Sequence, residues 1–198
     1  MGHGNGRAVL TVPDEFPGRR VRAADRTFKF LFFGDPGAGK TRLAATFAHD
    51  PRSAPVLFLD PTGGAVGVVE ELEGAGSAVY TVGDDKEVLA YGDRLLSKDW
   101  GYKTLVVDDF SDVFGRTKLA VTQAVGGPDA EGLEGKHYDR VYERVRRVLR
   151  LFKQLASPRA TGGAGMHVVV AAWATEHEDA YARKRVVPKF AGGFSFEV

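Results

Sequence analysis

The residues best able to do chemistry lie in one run. Gly34-Asp35-Pro36-Gly37-Ala38-Gly39-Lys40-Thr41 has the spacing of a phosphate-binding loop, a glycine, four intervening residues and then Gly-Lys-Thr. Its glycines let the backbone curl until successive N–H groups point at phosphate oxygens. The helix that follows presents its positive end to the same anion. Lys40 has the reach to meet the β- and γ-phosphates, and the Thr41 hydroxyl suits a magnesium ion. Arg42 follows directly and is grouped with the loop as nucleotide-binding. A chance match arises in about 1% of chains this long. Here the motif also lies between the apolar run Phe28–Phe33 and a helical stretch at 40–48, the context a functional loop requires.

A second candidate is Val106-Val107-Asp108-Asp109, an apolar strand ending in two acids. Asp108 is placed to hold Mg²⁺, directly or through water, and Asp109 to orient or deprotonate an attacking water. The plainer reading of Asp109 is a cap on the next helix. Two strands separate the loop from Asp108. That spacing suits ATPases with a strand inserted between the loop strand and the acid strand, and suits Ras-like GTPases less. No guanine-reading Asn-Lys-x-Asp follows; Thr117-Lys118-Leu119-Ala120 lacks the acid. Glu176-His177-Glu178-Asp179 reads as a short acidic loop rather than a metal site. With no cysteine, thiolate zinc, iron–sulfur and cysteine-nucleophile chemistry are excluded.

Several strands and helices must position these groups. Strands are expected at 28–33, 56–59, 78–82, 104–107 and 167–172, with helices at 65–72, 84–97, 111–124 and 137–156 between them. Asp84 and Glu87 form a capping-box pattern at the start of one helix. Val141, Val145, Val148, Phe152 and Leu155 repeat at helical spacing along another. The continuous apolar run 28–33 reads as a central strand covered on both faces. This alternation predicts an α/β fold, a mainly parallel central sheet flanked by helices on both faces. Residues 1–26 read as an arm with a short strand at Ala8–Val12, and residues 27–198 as one core. Two further short strands are expected at 185–189 and 194–198. The chain stops soon after the fifth main strand, which suits either a core shortened at its carboxy-terminal end or a minimal version. Its 27 basic and 26 acidic side chains give a net charge of +1, so any nucleic-acid surface must be local. No apolar run approaches a membrane span and no signal peptide is evident, so a cytoplasmic location is expected, that of an infected bacterial host if the chain is phage-encoded.

The loop, Leu59-Asp60-x-x-Gly63-Gly64, Leu105–Asp108, the helix from Tyr138 and the strand His167–Ala172 together resemble the RecA-like, AAA-type nucleotide-binding proteins of tailed phages, including the Sak-type single-strand annealing ATPases. The resemblance implies a RecA-like P-loop NTPase core, ATP and Mg²⁺ as cofactors, ADP as product and assembly into a homo-oligomer. It also implies a role in phage recombination or replication on single-stranded DNA beside a single-strand-binding protein. There are departures. RecA-like proteins commonly end the second strand in Asp-x-Glu, whose Glu activates water; here Thr62 stands there and cannot act as a carboxylate base. The polar sensor expected at the end of the fifth strand falls nearest Thr175, with Trp173 and Glu176 as neighbours. Arg140, Arg144 and Arg147 on the long helix, and Arg183, Lys184 and Arg185 beyond the fifth strand, are candidate DNA or trans-acting contacts. Their plainer reading is a solvated helix face and a basic loop tip. Three functions compete: a DNA-linked ATPase, a nucleotide-dependent switch or assembly factor with little turnover, and a small-molecule kinase. The kinase ranks last, because the arginines lie on a regular helix rather than in a lid.

Overall fold

A computed structural model describes residues 26–126, 135–157, 165–178 and 184–189. The strands are β1 (Lys29–Gly34), β2 (Val56–Asp60), β3 (Ala78–Thr81), β4 (Thr104–Val107), β5 (His167–Glu178) and β6 (Lys184–Pro188). The helices are α1 (Lys40–Ala45), α2 (Val69–Gly74), α3 (Asp85–Ser97), α4 (Phe110–Gly126) and α5 (Gly135–Leu155), with 3-10 turns at Thr46–His49 and Gly64–Val68. The arm strand at 8–12, the acidic loop between α4 and α5 and the tail strand at 194–198 lie outside the described residues.

One sheet has the order β1-β5-β4-β2-β3, all neighbours parallel, and β6 adds antiparallel to the far half of β5. Its two faces are buried by different helices. Leu57, Leu59, Leu105, Val107, Val168 and Val170 pack under α3, α4 and α5. Val56, Phe58, Val106 and Val169 pack under α1, the second 3-10 turn and α2. Alternating strand residues thus feed two cores, as a doubly covered sheet requires. The helical stripe expected on α5 is the buried one: Val141, Val145, Val148, Phe152 and Leu155 are all inside. At α3, Asp84 accepts from the Lys86 N–H at 2.9 Å, while Glu87 reaches back to the Gly83 N–H at 2.8 Å, one residue earlier than a standard capping box.

Two expectations need correction. Strand β1 is not central. The inserted strand β5 takes the inner position, and β1 pairs with β5 alone among the described residues. Phe28, Phe30 and Phe32 stack along one face beside Phe47, yet Phe28, Phe30, Leu31 and Phe33 stay exposed. An apolar run reports affinity for a core, not which strand will supply the neighbour. The second correction is that β5 runs past Ala172 to Glu178, because β6 supplies a partner for its outer half.

Candidate functional site

The loop between β1 and α1 lies at the carboxy-terminal edge of the sheet. Gly37 and Gly39 adopt φ of 78° and 83°, a region that side-chain-bearing residues rarely enter. A Cβ at either position would meet open space, so what demands glycine there is backbone conformation, not room. Gly39 is the N-cap of α1, and its carbonyl accepts the Leu43 N–H at 2.9 Å. Lys40 folds back over the loop, donating from Nζ to the carbonyls of Gly34 (3.0 Å) and Asp35 (2.8 Å). Those carbonyls hold the ammonium over the cradle in which phosphate oxygens would sit. Pro36 and Ala38 are exposed on the loop. Arg42 points elsewhere: its guanidinium meets Glu71 of α2 at 3.4 Å, and His49 binds the other oxygen of the same carboxylate at 2.6 Å. The His49 bond, with Arg42 helping, holds Glu71 below its ordinary value.

Strand β4 delivers Asp108 and Asp109 to the same edge, both buried. The Asp108 N–H bonds to the Leu59 carbonyl at 2.9 Å, continuing the ladder to β2. Burial raises Asp108 above the usual carboxylate range, against a hydrogen bond from the Thr41 side chain that lowers it; the charges of Asp109 and Asp60 push upward and Lys40 opposes them. The Thr41 side chain thus lies on the Asp108 side of the loop, near its carboxylate. Asp109 is raised for the same first reason, burial, with Ser111 and Lys40 opposing. Its Oδ1 accepts the Ser111 N–H at 2.7 Å, while its Oδ2 is buried with no hydrogen-bond partner.

The Thr41 hydroxyl near the Asp108 carboxylate, beside a second carboxylate with an unmatched oxygen, makes a hard-oxygen set that fits Mg²⁺. Among the described residues no three acidic or histidine side chains cluster as a metal cage. An ion held here by Thr41 and Asp108 would complete its shell with phosphate and water oxygens, the usual habit of Mg²⁺.

The end of β2 explains the missing glutamate. Asp60 is buried, and its carboxylate collects the N–H groups of Thr62 (2.9 Å), Gly63 (2.8 Å), Gly64 (3.2 Å) and Ala65 (2.8 Å). The Thr62 hydroxyl donates to Asp60 at 3.1 Å and accepts from the Gly64 N–H at 3.2 Å. Thr62 is part of a tight turn held by Asp60, not a free group aimed at a phosphate.

The remaining candidates separate. Gly34 pairs in register with Trp173, so Trp173 lies level with the start of the loop. Thr175 lies two residues further on, opposite Val187 of β6. Of the α5 arginines, Arg140 and Arg147 are exposed. Arg144 corrects the expected basic face: it turns inward to Asp84 (3.2 Å) and to buried Asp85, which also accepts from Thr117. Two carboxylates at the start of α3 capture it, a contact between distant segments that helical spacing does not reveal. They keep its guanidinium raised despite burial. Lys184 is exposed, 3.8 Å from Glu176. Arg183 and the Arg185 side chain lie outside the described residues. Ser111 was not singled out in the sequence. A serine two residues after a strand-end acid is the only local signal for it.

Comparison with known proteins decides the family. Residues 26–195 match the AAA domain family, covering both the loop and the Asp108 strand. The chain belongs to the AAA domain family. It is thus a nucleotide-binding P-loop NTPase domain, and the parallel sheet with helices on both faces is the α/β fold expected of one. Among solved structures, the AAA chain is similar to the conjugation coupling protein TcpA of pCW3, in a monomer form with ATPγS. The identity is 10% and the TM-score 0.40, over 80% of this chain and 45% of that one, so the chain spans under half the length of that relative. No curated protein matches the chain. Among the described residues no helix is long and apolar enough to cross a membrane.

Proposed function

We propose that this AAA domain binds ATP with Mg²⁺ and hydrolyses it to ADP and phosphate. The observation that carries this is the convergence of Lys40, Thr41, Asp108 and Asp109 at one sheet edge, with Asp109 Oδ2 buried and unmatched. In this reading the loop N–H groups and Lys40 hold the phosphates, Lys40 leaving its two carbonyls to do so. Thr41 and Asp108 hold the ion, which when bound neutralises charge developing on the phosphoryl oxygens. Asp109 Oδ2 takes the proton of the attacking water, which adds to the γ-phosphorus as the bond to ADP breaks. Burial favours this transfer by making the carboxylate a stronger base.

The work so driven is DNA recombination or replication of the phage type, on single-stranded DNA with a single-strand-binding protein and as a homo-oligomer. The resemblance in the loop, Asp60–Gly64 turn and Asp108 strand supports this, as do the exposed Arg140 and Arg147. Thr175 serves as the sensor of nucleotide state, and Lys184 with Arg183 and Arg185 as the trans-acting basic group. A second reading, a switch with little turnover, is favoured by one specific observation: Thr62 is locked to Asp60 where RecA-like proteins place a catalytic glutamate.

Phosphate release, measured with and without single-stranded DNA, tests both. DNA-stimulated release is expected. Tight ATP–Mg²⁺ binding without release would favour the switch. A folded Lys40→Ala variant that binds ATP–Mg²⁺ as tightly as the parent would overturn the site itself.

A further inference from the structure

We propose that Ser111 is a positioning residue that ties Asp109 to the strand end beside the phosphate-binding loop. This rests on the hydrolytic reading above. In β5, alternate N–H groups serve alternate neighbours: Val168 donates to Phe28 beside β1, and His167 to Lys103 at the start of β4. Trp173 has the parity of His167, so its N–H faces the β4 side. The register of β4 with β5 ends at Val107 and Val170, whereas β1 stays paired with β5 up to Trp173. The Trp173 N–H therefore points past the end of its own ladder. Ser111 Oγ accepts it at 2.8 Å, and the backbone N–H of the same serine donates to Asp109 Oδ1 at 2.7 Å.

Ser111 thus stands where a strand residue would, and it is buried in that role. On one side it holds the oxygen of Asp109 that leaves Oδ2 free. On the other it holds Trp173, the register partner of Gly34, the first residue of the loop. A shift of the loop strand on phosphate binding reaches Asp109 by way of the β1–β5 pairing that sets Gly34 level with Trp173, and from there by two hydrogen bonds, Trp173 to Ser111 and Ser111 to Asp109. The hydroxyl closes that path; the serine backbone alone does not.

The test uses the full chain and the fluorescence of Trp173, which is partly exposed. Trp100 is the only other tryptophan. Trp100→Phe therefore leaves Trp173 as the single reporter. In that background Ser111→Ala keeps the backbone bond to Asp109 and removes the hydroxyl, and with it both the link to Trp173 and the hydroxyl's own support of the Asp109 carboxylate. Three results are expected. The affinity for ATP–Mg²⁺ stays within about twofold, kcat falls by about tenfold, and the Trp173 emission change on nucleotide binding is largely lost. Ser111→Thr, which restores a hydroxyl, recovers both kcat and the emission change. Unchanged kcat and an unchanged Trp173 response in Ser111→Ala would overturn the link. Failure of the parent to bind or hydrolyse ATP would instead overturn the proposed function. If the parent binds without turnover, the emission change alone decides for or against Ser111.

Discussion

Asp109 carries a cost that its surroundings do not offset. Its carboxylate is buried, one oxygen has no partner, and burial raises its affinity for a proton. The folded chain therefore holds that proton to higher pH than the unfolded chain does. Its contribution to stability is present in acid and is lost as pH rises through the folded value. Asp109→Asn removes the buried charge and is expected to raise Tm by about 2–4 °C near neutral pH, on the order of 1 kcal/mol. Phosphate release should fall at the same time. Thermal scans should show the gain shrinking as pH is lowered towards the ordinary carboxylate range. His167 behaves in the opposite sense. Its Nδ1 accepts the Phe28 N–H at 3.0 Å, Phe28 stacks on its ring, and burial lowers its affinity for a proton. Its contribution is whole above about 6.5, the unfolded value, and is lost as pH falls through the lower folded value. Parent Tm should drop through that acid window, and His167→Gln should flatten the drop. At this scale the loop was legible in the sequence because its glycine spacing matches the positive-φ turn that Gly37 and Gly39 make into α1. Ser111 was not, because its acceptor role depends on where β4 stops relative to β5.

At the scale of elements, α3 and α5 pack closely. Gly92 of α3 faces Leu151 of α5 so closely that a Cβ there would lie 2.7 Å from Leu151 Cγ. Alanine would improve helix propensity by about 1 kcal/mol, but the leucine head is buried and has little room to retreat. Gly92→Ala is therefore expected to destabilise by about 1–3 kcal/mol in urea unfolding. Combined with Leu151→Ala, the loss should be smaller than the sum of the two single changes. The same helix pair is joined by Arg144 with Asp84 and Asp85. Here the sequence misleads in a definite way: periodicity assigns the apolar stripe of α5 correctly, but it cannot show that one arginine on the other face meets two acids some 60 residues earlier. The ends of strands were harder to read than their middles for a related reason. Residues beyond Ala172 are extended because β6 lies beside them, a partner that contributes nothing to the local pattern.

For the whole molecule, ligand binding and folding are linked. ATP with Mg²⁺ at a hundred times its dissociation constant should stabilise the parent by about 2.7 kcal/mol. Differential scanning fluorimetry should then show Tm rising by roughly 5–10 °C, with no rise in Lys40→Ala. Strand–helix alternation made the layered architecture legible, including helices on both faces. The order of strands was only partly so: the gap between loop and acid announced an inserted strand, and the structure shows that strand to be β5. That insertion bears on how the chain is made. Strand β1 leaves the ribosome well before its one described neighbour, which lies 139 residues later, counted from Phe28 to His167. At about 5–20 residues per second the loop strand waits on the order of ten seconds for its partner. During that interval Phe28, Phe30, Leu31 and Phe33 have no sheet to join, and an unpaired apolar edge invites pairing with other chains. The phosphate-binding loop is thus among the first parts of the site to be synthesised and among the last to acquire its shape, and a nascent chain halted before β5 would carry the whole motif without the strand that sets it.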